Sequence, residues 1–292
     1  MYNNILVPLD GSKVAEAVLP YAKFLAGALK LPVDLLHVHD PETVAPSMHS
    51  SREAEYLKKL ATSFLGSLTV DCHVKTGAAA EMILDTASAN AGTLIAMATH
   101  GKSGKERWLL GQVAQKVLQA SKNPLVLIRP NAGMSSSSEV NLRTVIVPLD
   151  GSHLAEQIFP HVVYLAIKSG LQVVLIRTYH LPTASYFMAA HVSPPDNSAL
   201  REKIKKEVGD YLDLKAAELR AKGIVKVSSA IAEGGGPEEI IDLARRSPDS
   251  IVAMSTHGRS GIGRWVLGSV ADRIVSYSGG PVLVIRPIPP SK

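Results

Sequence analysis

A chain of 292 residues with 46% hydrophobic and 20% charged residues reads as a globular protein, long enough for two domains that each bury a core. No apolar run approaches the roughly 18 residues of a membrane span. The formal net charge of +5 is interleaved with acids, and aromatic residues at 5% offer no platform for bases, so neither a membrane segment nor a nucleic-acid partner is expected.

The N-terminus, MYNNILVPLD, has neither a basic start nor a cleavage site, and the single cysteine, Cys72, cannot form an internal disulfide; both point to the reducing cytoplasm. Residues 5–9 form an apolar first strand with Pro8 near its carboxyl end. Asp10, Gly11 and Ser12 then turn the chain into a helix reaching about 30, with Ser12 as N-cap. A second strand follows at 33–39, a helix at 51–66, a third strand at 68–75, a helix at 78–90 and a fourth strand at 93–99. A glycine-rich turn leads to a helix at 109–121 and a fifth strand at 125–129. Residues 131–141, NAGMSSSSEVN, are small and polar and make a linker between a first domain, 1–130, and a second, 142–292. The second domain repeats the plan, with strands at 143–149, 171–179 and 224–231 and helices at 152–169, 199–222 and 237–246.

Residues 251–287, IVAMSTHGRSGIGRWVLGSVADRIVSYSGGPVLVIRP, carry the densest signal: strand, glycine-rich turn, helix, strand. Gly258, Gly261 and Gly263 permit positive φ and close approach of the backbone to a ligand. Gly268 and Ser269 stand where a helix begins, with N–H groups pointing outward in a way that suits an anion. An ordinary tight turn is the alternative role. The stretch recurs at 94–130, with roughly half the positions identical. His100 maps to His257, Gly101 to Gly258, Trp108 to Trp265, Gly111 to Gly268 and Arg129 to Arg286, each 157 residues apart. Upstream, NILVPLDGSKVAE at 4–16 matches TVIVPLDGSHLAE at 144–156, pairing Pro8 with Pro148 and Asp10 with Asp150 at an offset of 140. The change of offset places an insertion in the second copy, assigned to residues 181–198.

Strands alternating with helices make each half an α/β domain with a parallel sheet covered on both faces. In such sheets ligands bind beyond the carboxyl ends of the strands, where strand order reverses; the first and fourth strands flank that point. Catalysis has little support, because the GxxxxGK[ST] phosphate loop and a Ser, His and acid set are both missing, and the single histidines lack metal-ligand spacing. Gly234 to Gly236 precede Pro237, Glu238 and Glu239, a helix start whose acids would repel phosphate, and read as a turn.

The order of elements, the two VPLDGS starts and the two THG turns resemble the universal stress protein family in a tandem form, over almost the whole chain apart from the linker and the inserted loop. The resemblance implies two doubly wound, Rossmann-like domains, each a five-stranded parallel sheet of order 3-2-1-4-5. It also implies an ATP-binding, stress-linked protein with a regulatory rather than metabolic role. Family members that bind ATP carry Gly, two residues, Gly, nine residues, Gly, then Ser or Thr. The second half has Ser255, Gly258, Gly268 and Ser269 at those places and departs once; the first has Ala98, Gly101, Gly111 and Gln112 and departs twice. ATP, with or without Mg2+, is therefore expected chiefly in the second half.

By the same resemblance Asp10 and Asp150 would hold the nucleoside, with helix capping as their alternative role. The main chain of Val38 and Thr178 would meet the base, and His100 and His257 would lie against phosphate or sugar. Pro148, Met254 and Val270 complete the second set, Met254 as a buried strand residue brushing the base. Lys102 and Arg259 face phosphate or water, and Trp108 and Trp265 serve as packing anchors. Family members dimerise through the fifth strand, so PLVLIRP and PVLVIRP are expected to pair the two domains within one chain; whether two chains assemble further stays open. Two other readings remain: a nucleotide-free protein-interaction module with closed sites, and a slow ATP hydrolase.

Overall fold

The computed structural model describes residues 1–40, 50–64, 68–101, 110–130, 139–181, 197–258 and 268–288. Lys102, Trp108, Arg259, Gly261, Gly263 and Trp265, with most of the predicted linker and inserted loop, lie outside them.

The first half runs β1 (Asn4–Leu9), a 3-10 turn (Ala15–Val18), α1 (Leu19–Leu29), β2 (Val33–His39), α2 (Ser50–Ala61), β3 (Val70–Thr76), α3 (Ala79–Ser88), β4 (Thr93–Ala98), α4 (Gln112–Ala120) and β5 (Leu125–Ile128). The second runs β6 (Thr144–Pro148), α5 (His153–Glu156), α6 (Phe159–Ser169), β7 (Gln172–Tyr179), α7 (Asn197–Ala221), β8 (Val227–Glu233), α8 (Pro237–Arg246), β9 (Ser250–Ser255), α9 (Ser269–Tyr277) and β10 (Val282–Ile285). The predicted first helix of each half is in fact broken, at matching places. Pro20 and Pro160 lack an N–H and would clash with the carbonyls of Glu16 and Glu156, so the helix restarts with each proline in its first turn. Gly111 and Gly268 are the N-caps of α4 and α9, so α4 starts a little later than the expected 109, while α9 starts where Gly268 and Ser269 were expected to begin it.

Among the described residues all strand pairs are parallel except one. The order β3-β2-β1-β4-β5 of the first half continues into β10-β9-β6-β7-β8 of the second, making one ten-stranded sheet of two doubly wound units. At the seam β5 and β10 are antiparallel, with Leu127 opposite Val282, Val126 opposite Leu283 and Leu125 opposite Val284. Every residue of both strands is buried. Burying a Val, Leu or Ile contributes about 1.5–3 kcal/mol each, which is why these apolar strands occupy the centre of the sheet.

The faces of the sheet carry separate cores. Leu25, Leu57, Val162 and Leu212, from α1, α2, α6 and α7, pack on one face. Ile83, Val117, Ile241 and Ile274, from α3, α4, α8 and α9, pack on the other. This layering leaves the carboxyl ends of β1 and β4, and of β6 and β9, open between the helices. Those are the two points where strand order reverses.

Candidate functional site

A cleft opens at each reversal. In the second half it gathers Pro148, Asp150, Thr178, Met254, Ser255, His257, Gly258, Gly268, Ser269 and Val270, residues drawn from the ends of β6, β7 and β9 and the start of α9. Gly151 has φ +84°, and this left-handed turn after β6 brings the next N–H back onto the preceding carboxylate. Asp150 Oδ1 accepts from the Ser152 N–H at 2.9 Å and from the Ser152 hydroxyl at 2.6 Å. The Ser152 Oγ in turn accepts from the Ala155 N–H at 3.2 Å and so caps α5. One oxygen of Asp150 thus does the turn-and-cap work that was the alternative role for this residue.

The other oxygen faces the turn after β9. A Cβ at Gly258 would run into Asp150 Oδ2, and one at Gly268 would lie 2.7 Å from the Thr256 carbonyl oxygen. Gly258 is not among the glycines of positive φ, and Gly268 has φ −59°. The expectation of positive φ at Gly258 is corrected: the residue is glycine because the carboxylate passes within touching distance of its backbone. The Thr256 hydroxyl lies 2.9 Å from His257 Nδ1 and orients that ring at the rim. Ser255, the departure from the glycine pattern, donates its buried hydroxyl to the Leu154 carbonyl at 2.8 Å. Its polar group is thereby committed to the α5 segment.

The first cleft repeats the geometry and gathers Asp10, Val38, Ala98, His100, Gly101, Gly111 and Gln112. Asp10 Oδ1 accepts from the Ser12 N–H at 2.9 Å and the Ser12 hydroxyl at 2.6 Å; a Cβ at Gly101 would meet Asp10 Oδ2. The Thr99 hydroxyl lies 2.9 Å from His100 Nδ1. The volumes differ, at ≈ 130 Å³ for the first cleft and ≈ 380 Å³ for the second. Only the second falls within the roughly 300–1,000 Å³ usual for small-molecule sites. Among the exchanges between the two linings, Gln112 stands where the second half has Ser269, and Ala79 where it has Gly236.

Sequence reasoning missed several residues here. Gly236, with φ +71°, is more than a turn residue, because it lines the second cleft opposite Thr178. Its position after the carboxyl end of β8 was the available signal. Arg177 was missed too. Its guanidinium sits 4.6 Å from the Tyr211 ring centroid, and a Cβ at Gly151 would lie 3.0 Å from it. Tyr211 donates to Glu156 at 2.9 Å, and Lys215 pairs with Glu156 at 3.0 Å. Burial, reinforced by the Glu156 hydrogen bond, pushes the Tyr211 hydroxyl well above its ordinary pKa. For Lys215 burial opposes the charge, but Glu156 and Glu218 outweigh it and raise the pKa. In the first half Tyr56 donates to Glu16 at 3.4 Å, and burial together with Glu16 likewise raises its pKa.

Among the described residues no group of three His, Cys, Asp or Glu side chains is arranged to hold a metal, and no helix is long and apolar enough to cross a membrane. The family model of universal stress proteins matches residues 1–129 and again 141–286. The chain belongs to the universal stress protein family. It is 24% identical over 301 residues to a universal stress protein of Mycolicibacterium smegmatis, with 97% of each chain covered. It is 27% identical over 145 residues to universal stress protein MJ0531 of Methanocaldococcus jannaschii, covering 49% of this chain and 82% of that one. The crystal structure of a universal stress protein from Archaeoglobus fulgidus superposes with a TM-score of 0.72 over 98% of this chain and 99% of that one, at 20% identity, a likeness of fold. Two matches in succession make this a tandem universal stress protein, with the α/β, Rossmann-like fold repeated in each half.

Proposed function

We propose that this tandem universal stress protein binds an adenine nucleotide, ATP before others, in its second cleft, and that occupancy serves a regulatory role in the stress response. The observation that carries the reading is the convergence at the β6/β9 reversal: a carboxylate, a histidine and the hydroxyl-bearing start of a helix face one cleft of ≈ 380 Å³. The chemistry of that set fits the ligand. Asp150 can accept from ribose or base, the main chain of Thr178 can meet the base edge, and the N–H groups at the start of α9 from Ser269 onward suit phosphate, that of Gly268 being given to the Thr256 carbonyl at 3.1 Å. Mg2+ would be held by the phosphates rather than by a protein cage. Among the described residues no general base or nucleophile is poised in the cleft, so hydrolysis is expected to be slow.

The domain division at the 131–141 linker, the β5/β10 seam as an intramolecular counterpart of a dimer contact, and a cytoplasmic location belong to the same reading. Titration calorimetry with ATP, with and without Mg2+, tests it. One site per chain is expected, weakened at least tenfold in Asp150→Asn and retained in Asp10→Asn. No heat with either nucleotide form would favour the second reading, a nucleotide-free interaction module, for which the narrow first cleft and Gln112 are the supporting observations.

A further inference from the structure

In the first half the end of β2 carries two histidines on the face covered by α2. His39 Nδ1–H donates to Glu53 Oε1 at 3.1 Å, and His37 Nε2 lies 3.5 Å from the same oxygen. Their side chains are 9% and 8% exposed and that of Glu53 14%. Glu53 Oε2 is buried with no hydrogen-bond partner among the described residues. One carboxylate oxygen therefore ties both imidazoles of β2 to the first turns of α2.

The second half solves the same junction without an imidazole. Tyr56 and Tyr211 occupy matching places, since each donates to one of the repeat-matched carboxylates Glu16 and Glu156. On that register His37 corresponds to Arg177, His39 to Tyr179 and Glu53 to Val208. Arg177 stacks on Tyr211 as His37 meets Tyr56 edge to face, at ring centroids 6.3 Å apart. Arginine stays charged across the physiological range, whereas imidazole changes charge within it.

We propose that His37, Glu53 and His39 form a proton-operated latch between β2 and α2, present in the first domain alone. Uptake of a proton turns the hydrogen bond from a neutral imidazole to the carboxylate into an ion pair and tightens the hold of α2 on β2. Of the charged and titratable groups nearby, Glu53 and Tyr56 come from α2, and Tyr56 in turn feels Glu16, paired with Lys13 on the 3-10 turn, and Asp10 at the end of β1. Asp40 is next along the chain, Cys72 lies further down the same face, and the β3 residues paired with His37 and His39 are Val74 and Thr76. A second proton adds like charge to the two neighbouring rings, so the pair titrates in two coupled steps. Val38 sits between the histidines and turns to the other face, where it lines the first cleft. Acidification thus firms one wall of that cleft while leaving the second cleft as it was.

Nuclear magnetic resonance titration of the imidazoles, with hydrogen exchange along residues 33–39 and 50–61 of the full chain, tests the latch without any ligand. Between pH 8 and pH 5.5, exchange corrected for its intrinsic rate should slow about tenfold at the end of β2 and the first turn of α2, the size of one hydrogen bond to a charged group. The end of β7 should not respond. Glu53→Gln should abolish the response and uncouple the two imidazole titrations; His37→Arg should make β2 behave like β7. Independent titrations in the native chain, or the same exchange profile in Glu53→Gln, would overturn the proposal. The link from latch to ligand rests on the nucleotide reading, and the two fail separately: a working latch with no nucleotide bound at any pH would discard that reading alone.

Discussion

Gly258→Ala adds one methyl group where the backbone passes the Asp150 carboxylate. The new Cβ would overlap Asp150 Oδ2, and the carboxylate cannot simply rotate, because Oδ1 holds the Ser152 N–H at 2.9 Å and the Ser152 hydroxyl at 2.6 Å. Hydrogen bonds to an ionised group contribute about 1.5–3 kcal/mol each, so relieving the overlap costs at least about 2 kcal/mol. For a domain of roughly 150 residues that corresponds to a melting temperature lower by about 4–8 °C. The same displacement takes the carboxylate away from the ligand, and affinity for ATP should fall at least tenfold. Scanning calorimetry and titration calorimetry read the two effects. Because the clash needs both partners, the double variant Gly258→Ala with Asp150→Gly should lose less stability than the sum of the singles, by more than about 1 kcal/mol. Native melting and native affinity in Gly258→Ala, or strict additivity in the cycle, would show that the carboxylate does not press on this turn.

Three further outcomes are expected. His161 lies 2.7 Å from the Tyr2 hydroxyl, and burial depresses its pKa to about 4 from 6.5. Its contribution is complete above pH 6.5 and is lost as pH falls towards 4, because the unfolded chain binds the proton first. Denaturant unfolding should lose on the order of 3 kcal/mol across that window, and His161→Phe should flatten the slope. Ser255→Ala removes the 2.8 Å bond to the Leu154 carbonyl and should cost about 1 kcal/mol in denaturant unfolding while leaving ATP affinity within twofold. Gln112→Ser restores a short hydroxyl at the start of α4 and should raise nucleotide stoichiometry above one per chain; an unchanged stoichiometry would assign the narrowness of the first cleft to Ala79 instead.

Much of the fold was legible because it is written locally and then written twice. Apolar runs of strand length alternate with helical segments, and the repeat of VPLDGS and THG fixes which strands correspond. The break ahead of Pro20 and Pro160 was legible in principle, since both stand inside the predicted helices, but amphipathic periodicity continues across them and hides it. Residues that meet only after folding were the hard part. Tyr211 and Glu156 are 55 positions apart, and nothing in either neighbourhood announces their bond. Arg177 and His37 read as ordinary polar ends of strands until the tyrosines of α7 and α2 are laid over them. The glycines misled in one respect: a THG turn invites a conformational explanation, whereas Gly258 and Gly101 are small because an aspartate from another strand leans on them.

Release of nucleotide from freshly purified protein by denaturation, identified by mass and counted per chain, bears on the proposed function more squarely than any variant. One adenine nucleotide per chain, lost in Asp150→Asn and kept in Asp10→Asn, is the predicted result. Empty protein that also takes up no ATP when nucleotide and magnesium are supplied would contradict it, and would leave the paired clefts as features of the fold that a protein partner reads.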